Sequence, residues 1–200
     1  HMNNIKLKNL FLINLFSLFI LSCTNNRTSD VNNSLNTLQD SIKKGEYLVK
    51  IMGCGDCHTP KKFGPNGVEN MNEYYLAGFI GTDPLPKLNP VLMPEGMLAL
   101  ASSKLCAFEG MWGISFAANL TPDETGIGAW TKEQFIKSLK EGRYKGLDSN
   151  RLMLPPMPWQ NYKENLKDED ASCIFTYLKS IKPVSNIVPQ AIPPTFTNSK

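Results

Sequence analysis

Cys54-Gly55-Asp56-Cys57-His58, running on into Thr59-Pro60, is the stretch on which the reading of this chain turns. Two cysteines three positions apart, with a histidine directly after the second, form the spacing of covalent c-type haem attachment. The two thiols add to the haem vinyl groups and the adjacent imidazole is brought beneath the iron. Competing readings fit less well. A four-thiolate zinc site would have to recruit Cys106 and Cys173, neither of which has a C-x-x-C partner of its own. A thioredoxin-like redox pair would follow a strand in a βαβ unit. Here the pair follows the helix-like residues 42–52 and precedes a loop.

The only histidines are His58 and His1, and His1 stands ahead of the start-like Met2 as a remnant would. Bis-histidine coordination within one subunit is therefore excluded, and the sixth position falls to a methionine, a lysine, an amine, a cysteine or nothing. Methionines beyond the N-terminal segment stand at 52, 71, 93, 97, 111, 153 and 157. Met52 lies two residues before Cys54, where core packing accounts for it. Met153 and Met157 lie in Arg151-Leu152-Met153-Leu154-Pro155-Pro156-Met157-Pro158-Trp159, a segment that its prolines stiffen and keep out of a helix. A rigid loop holds a thioether against iron at little entropic cost. Met157 is the first candidate for sixth ligand and Met153 the runner-up. The ordinary alternative is that Met157 packs against haem or core, leaving the iron open.

The 200 residues are 42% hydrophobic and 20% charged, with 21 Lys and Arg against 18 Asp and Glu. That balance suits one globular domain and offers no basic surface for nucleic acid. Residues 2–23 combine a basic start (Lys6, Lys8), an apolar run from Leu10 to Leu21 too short to span a bilayer, and Ser22-Cys23. This is a secretory pattern. Its ending looks like a bacterial lipoprotein signal, which implies lipidation at Cys23; an ordinary signal cut nearby and a buried helix are the alternatives. Residues 23–40, rich in Asn, Ser and Thr, read as a flexible tether. The expected location is outside the cytoplasm, anchored to a membrane and facing the periplasm or cell exterior. In that oxidising compartment Cys106 and Cys173 form either a disulfide or two buried thiols.

Residues 41–184 make the expected domain. A first helix spans about Asp40 or Ser41 to Met52, with Ile42, Tyr47, Leu48 and Ile51 roughly on one face. Thr59 to Gly110 carries six prolines and no sustained period, and reads as loop with short extended pieces near residues 75–80. Thr131 and Gln134 have capping-box spacing ahead of a helix that Gly142 ends. A last helix spans about Asp168 to Ile181, with Ala171, Ile174, Phe175, Leu178 and Ile181 recurring at three and four. Residues 185–200 read as a surface tail.

These segments together resemble a known family. Gly45-Glu46-Tyr47-Leu48, Cys54 to Pro60, Ala118-Asn119-Leu120-Thr121-Pro122-Asp123, Thr125-Gly126-Ile127-Gly128-Ala129-Trp130-Thr131, Pro156-Met157-Pro158-Trp159 and Asp168 through Pro183-Val184 are similar to class I c-type cytochromes. More narrowly, they resemble the haem domains of the cytochrome subunits of bacterial membrane-bound alcohol and sugar-acid dehydrogenases. The likeness covers about residues 45–184. It implies an all-α, cytochrome c-like domain around one covalently bound haem, with His58 and Met157 as axial ligands. It also implies that a downstream carbonyl, that of Pro65 or the nearer Pro60, fixes the His58 ring, and that Asn119, Thr125 and Trp130 bond the haem propionates. Two features depart from the family: the single C-x-x-C-H, and a proline-rich stretch from Thr82 to Glu109 longer than a minimal cytochrome c needs.

The expected function is that of a lipid-anchored monohaem electron carrier, not an enzyme. It would take single electrons from a dehydrogenase or respiratory complex and pass them to an oxidase or reductase. Two other readings stay open: a haem enzyme or gas or peroxide sensor with an open iron, and a haem subunit assembled with a dehydrogenase.

Overall fold

Between Thr24 and Lys44 the chain has neither glycine nor proline, and in the computed structural model one helix, α1, runs from Thr24 to Ile51. It begins earlier than expected, inside the stretch read as a tether. Residues 24–82, 84, 85 and 99–194 are described, with side chains from residue 34 onward. The signal, Cys23, Met93 and Met97 lie outside the described residues. The chain divides into His1–Asp40, of which the described part is helical, and a compact unit Ser41–Lys200.

Within the compact unit, α1 buries Gly45 and Val49, with Ile42, Leu48 and Met52 partly covered. This stripe of positions 42, 45, 49 and 52 corrects the expected face, because Tyr47 and Ile51 are about 60% exposed (62% and 60%). Gly45 permits the closest contact. A Cβ there would lie 2.0 Å from the Cys173 carbonyl oxygen of the last helix, so the two backbones pass where no side chain fits.

Gly53, at φ 68°, turns the chain out of α1, and the haem-motif residues form a one-turn helix of their own, α2 (Cys54–His58). Next come β1 (Lys61–Gly64) and β2 (Gly67–Asn70), joined through Gly64-Pro65-Asn66-Gly67 with Phe63 opposite Val68. A 3-10 turn, Asn72–Tyr74, follows, and further along are β3 (Ala99–Ala101), β4 (Ala107–Gly110) and β5 (Gly113–Phe116), an antiparallel sheet in the order β3-β4-β5. Three helices follow: α3 (Lys132–Glu141), α4 (Trp159–Asn165) and α5 (Asp168–Ser180).

The fold is thus not all-α. Five helices and two antiparallel sheets among the described residues give mixed α/β content. Four of the five strands come from the region read as loop and β5 follows directly after it; each is only three or four residues long and bounded by glycine or by turns, too short to display a period of two. Residues 75–80, expected to be extended, join no sheet and make single bonds instead, Gly78 N–H to the His58 carbonyl (2.7 Å) and Phe79 N–H to that of Ala117 (2.9 Å).

Helix α3 starts as its sequence indicates. Thr131 Oγ1 accepts from Gln134 N–H at 3.1 Å, and Gly142 closes the helix at φ 69°. The reciprocal half of the capping box is missing, because the Gln134 amide donates to the Lys145 carbonyl at 2.7 Å. Helix α4 has no counterpart among the expected elements; Pro158 precedes it at the cap position. α5 carries Asp168, Glu169 and Asp170 in its first turn, favourable against the helix dipole. The main core joins Val49, Leu76, Ile127, Phe135, Leu139, Tyr162, Ile174, Phe175 and Leu178; a second cluster gathers Phe79, Cys106, Ala107 and Ala117 beside the larger sheet.

Candidate haem site

One cavity of about 670 Å³ opens along the main core. Cys54, Cys57 and His58 of α2 line it, as do Met153, Leu154, Pro155, Pro156 and Met157. Apolar wall is added by Leu120, Ile127, Phe135, Leu139, Ile174 and Leu178. Its volume and largely apolar lining are those of a buried cofactor site. The four residues named first from the sequence therefore share one wall-bounded space, with the runner-up methionine among them.

His58 Nδ1 lies 2.8 Å from the Ala118 carbonyl oxygen. A carbonyl only accepts, so Nδ1 carries the proton and Nε2 keeps its lone pair for a metal. Burial also holds the imidazole below its ordinary pKa, with the Ala118 bond partly opposing, so the neutral, ligating form is favoured. The expected carbonyl of Pro65 is not the partner. Pro65 is exposed in the β1–β2 turn, whereas the Gly78 and Phe79 backbone bonds draw residues 117 and 118 against α2. Pro60 is buried, and its carbonyl accepts from Met71 N–H.

The cysteine pair is not set up for thiolate chemistry. Burial pushes the Cys54 thiol up to about 11 and raises Cys57 in the same direction, opposite to the lowered values of redox-active pairs. Cys106 and Cys173 are not disulfide-bonded. Cys106 is fully buried with its Sγ donating to the Cys57 carbonyl at 2.9 Å, and Cys173 sits on α5 behind Gly45. Of the two expected arrangements, the structure has free thiols, with Cys173 partly exposed. No group of three His, Cys, Asp or Glu among the described residues is placed to hold a metal ion by itself.

Met157 packs against the main core, and its N–H bonds the Leu154 carbonyl (3.3 Å) across Pro155-Pro156, so the expected extended segment is a turn. Met153 also faces the cavity, but its Sδ accepts from Ser138 Oγ at 3.9 Å. Asn119 and Thr125 line the cavity with their polar atoms already engaged. Asn119 Nδ2 donates to Val184 O (2.9 Å) and Thr125 Oγ1 (3.1 Å), and Asn119 Oδ1 accepts from Thr121 N–H and hydroxyl. Thr125 Oγ1 donates to Asp123 (2.6 Å) and accepts from Asn186 N–H. These bonds stitch the 119–128 loop to residues 184–186.

Three features went unread in the sequence. The hydroxyl of the buried Tyr162 (9% exposed), which lines the cavity, has no hydrogen-bond partner among the described residues, and neither has the Nε1–H of Trp130, the cavity residue already expected to bond a propionate. Unpartnered donors on a cavity wall, one buried and one half-buried, suit an occupant that supplies the acceptor. Lys61 is buried 93% (7% exposed), and its ammonium donates to the Gly55 and Thr59 carbonyls (2.6 and 2.9 Å), clamping the end of α2. Residues 187–191, expected to be part of a surface tail, form one wall of the cavity, and Ile192 pairs with Ile114 of β5. Only non-local pairing places them, and nothing in their own sequence announces it.

A thiol pair with an adjacent, tautomer-fixed imidazole and a thioether lining the same apolar cavity fits a covalently held haem; the site resembles that of a c-type cytochrome. The particular likeness is to cytochrome subunits of bacterial dehydrogenases. The chain is 29% identical over 147 residues to the fructose dehydrogenase cytochrome subunit of Gluconobacter japonicus, covering 72% of this chain and 22% of that subunit. It is 27% identical over 146 residues to the gluconate 2-dehydrogenase cytochrome c subunit of Pantoea cypripedii, covering 72% and 24%. The alcohol dehydrogenase (quinone) cytochrome c subunit of Gluconobacter oxydans matches at 26% over the same length, covering 72% and 22%. The chain therefore spans less than a quarter of each of these relatives. No protein-family model matches it.

Proposed function

We propose that this chain is an exported, lipid-anchored monohaem c-type cytochrome that carries single electrons from a dehydrogenase or respiratory complex to an oxidase or reductase. The observation that carries the reading is the convergence of Cys54, Cys57, His58 and Met157 on one apolar cavity, with the His58 proton held on Nδ1. The bound haem supplies the one-electron chemistry. Cys54 and Cys57 would hold it covalently, His58 Nε2 and Met157 Sδ would bind its iron, and the Ser138 contact makes Met153 the less available thioether. The cationic Lys145 and Arg151 on the cavity wall suit its carboxylates. With both thioether and imidazole engaged, the apolar walls would keep water and small ligands from the iron, which suits a carrier more than an enzyme. The basic start, apolar run and Cys23 support export and anchoring. The cytochrome subunits it resembles support a dehydrogenase as donor or as assembly partner.

Visible spectra of protein matured in an exporting, haem-attaching host test this. The expected result is a covalently retained c-type haem with the weak long-wavelength methionine-to-iron band and no carbon monoxide binding. Rapid carbon monoxide binding without that band would instead mean an open iron and ligand or peroxide chemistry.

A further inference from the structure

The β4–β5 hairpin is bonded to both segments that carry the proposed iron ligands. On one side Cys106, directly before β4, gives its Sγ–H to the Cys57 carbonyl (2.9 Å), while its own carbonyl accepts from Ala117 N–H just beyond β5 (2.9 Å). On the other side Ser115 of β5, 9% exposed, donates from Oγ to the Pro155 carbonyl at 2.6 Å, two residues before Met157. The Trp112 indole N–H of the hairpin turn donates to the same Ser115 oxygen (3.2 Å), leaving the hydroxyl proton for Pro155. The competing acceptor, the Phe108 carbonyl, lies at a longer 3.3 Å. Ile192 pairs with Ile114 on the hairpin's outer edge, fixing the strap that walls the cavity.

We propose that this hairpin is a brace that sets the distance between the His58 helix and the Met157 turn, with Ser115 the positioning residue that holds Met157 in place for the iron. The proposal rests on the reading of Met157 as sixth ligand. It gives the inserted sheet a task that helices alone leave undone: the Leu154–Met157 turn has a single backbone bond of its own, at 3.3 Å, and Ser115 supplies the shorter restraint.

The test uses haem-loaded protein and three variants. Wild type showing the methionine-to-iron band, and Met157→Ala lacking it, establish the ligand reading; absence of the band in wild type, or its survival in Met157→Ala, overturns that reading and the brace with it. Given the band, Ser115→Ala is expected to bind carbon monoxide about fivefold faster in the reduced state, as loss of one hydrogen bond raises the methionine-detached population. Its band weakens in parallel, and Ser115→Thr, which keeps the hydroxyl, restores both. Ser115→Ala with wild-type band and carbon monoxide kinetics overturns the brace, as does Ser115→Thr behaving like the alanine variant. Should Ser115→Ala not accumulate, Trp112→Phe decides: releasing Ser115 Oγ from the indole frees its proton for Phe108, so faster carbon monoxide binding is expected and wild-type kinetics would refute the proposal.

Discussion

Gly45→Ala places one methyl group into the seam between α1 and α5. The new Cβ would lie 2.0 Å from the Cys173 carbonyl oxygen, 2.6 Å from its carbon and 2.7 Å from Tyr177 Cβ. Two of the three neighbours are backbone, so no side chain can swing away. Restoring ordinary contact requires the helices to part by about 1.4 Å, which loosens the dispersion contacts among neighbouring core side chains. Val49, Ile174 and Leu178 of these helices are each 2% exposed or less, so the seam cannot open without disturbing the core. Overpacking of this kind costs about 3 kcal/mol at the upper end of its usual range. Alanine returns about 1 kcal/mol of helix propensity over glycine. A net loss of about 2 kcal/mol corresponds to a fall in melting temperature of roughly 4–8 °C for a domain of this size. Thermal melts of the haem-loaded variant and wild type, followed by far-ultraviolet circular dichroism, measure it. An unchanged or raised melting temperature would mean that propensity alone is expressed, and would refute the backbone-to-backbone contact between α1 and α5.

Three further outcomes are expected. Met157→Ala loses the methionine-to-iron band and lowers the reduction potential, whereas Met153→Ala does neither; potentiometry with visible spectra separates them, and the reverse pattern transfers the ligand to Met153. Asn119→Ala removes the side chain that joins Thr121, Thr125 and Val184 and leaves buried partners unsatisfied, costing about 3 kcal/mol in denaturant unfolding; a loss below about 1 kcal/mol would contradict its place as the link to the strap. The Asp123 carboxyl is held below its ordinary value of 3.8 by the Thr125 hydroxyl and amide, so its stabilisation is complete above that value and lost as pH falls through the depressed one. Asp123→Asn should flatten the acid limb of melting temperature against pH between about 2 and 5, and an unaltered limb would count against the bond.

What could be read in the sequence was what is local. The haem motif, the Thr131 cap with Gly142 at the far end, and the acidic opening of α5 each depend on residues within one or two turns. The His58 acceptor shows the limit. Pro65 and Pro60 were the near choices along the chain, yet the carbonyl comes from Ala118, sixty residues away, because residues 75–79 thread between two loops and bind both. The strands failed for a related reason. Lys61-Lys62-Phe63 and Val68-Glu69-Asn70 are too polar and too short to announce a hairpin, and pairing across the exposed Phe63 and Val68 is set by the turn alone. The bonds of Asn119 and Thr125 to residues 184–186 likewise span some sixty positions, and nothing in the local sequence signals them.

The wall formed by residues 187–191 has a consequence for the order in which the site comes together. Cys54 and Cys57 enter the chain early, whereas the surface that faces them from the strap, anchored through Ile192 to Ile114, belongs to its last described residues. Closing so long a loop costs entropy before any contact repays it, and non-local closure of this kind is slow. On the proposed reading, a haem fastened to α2 before closure would give the strap an apolar body on which to condense, so attachment would precede and hasten the final fold. Chains ending before residue 187 would then take up haem covalently yet leave it open to solvent on one side.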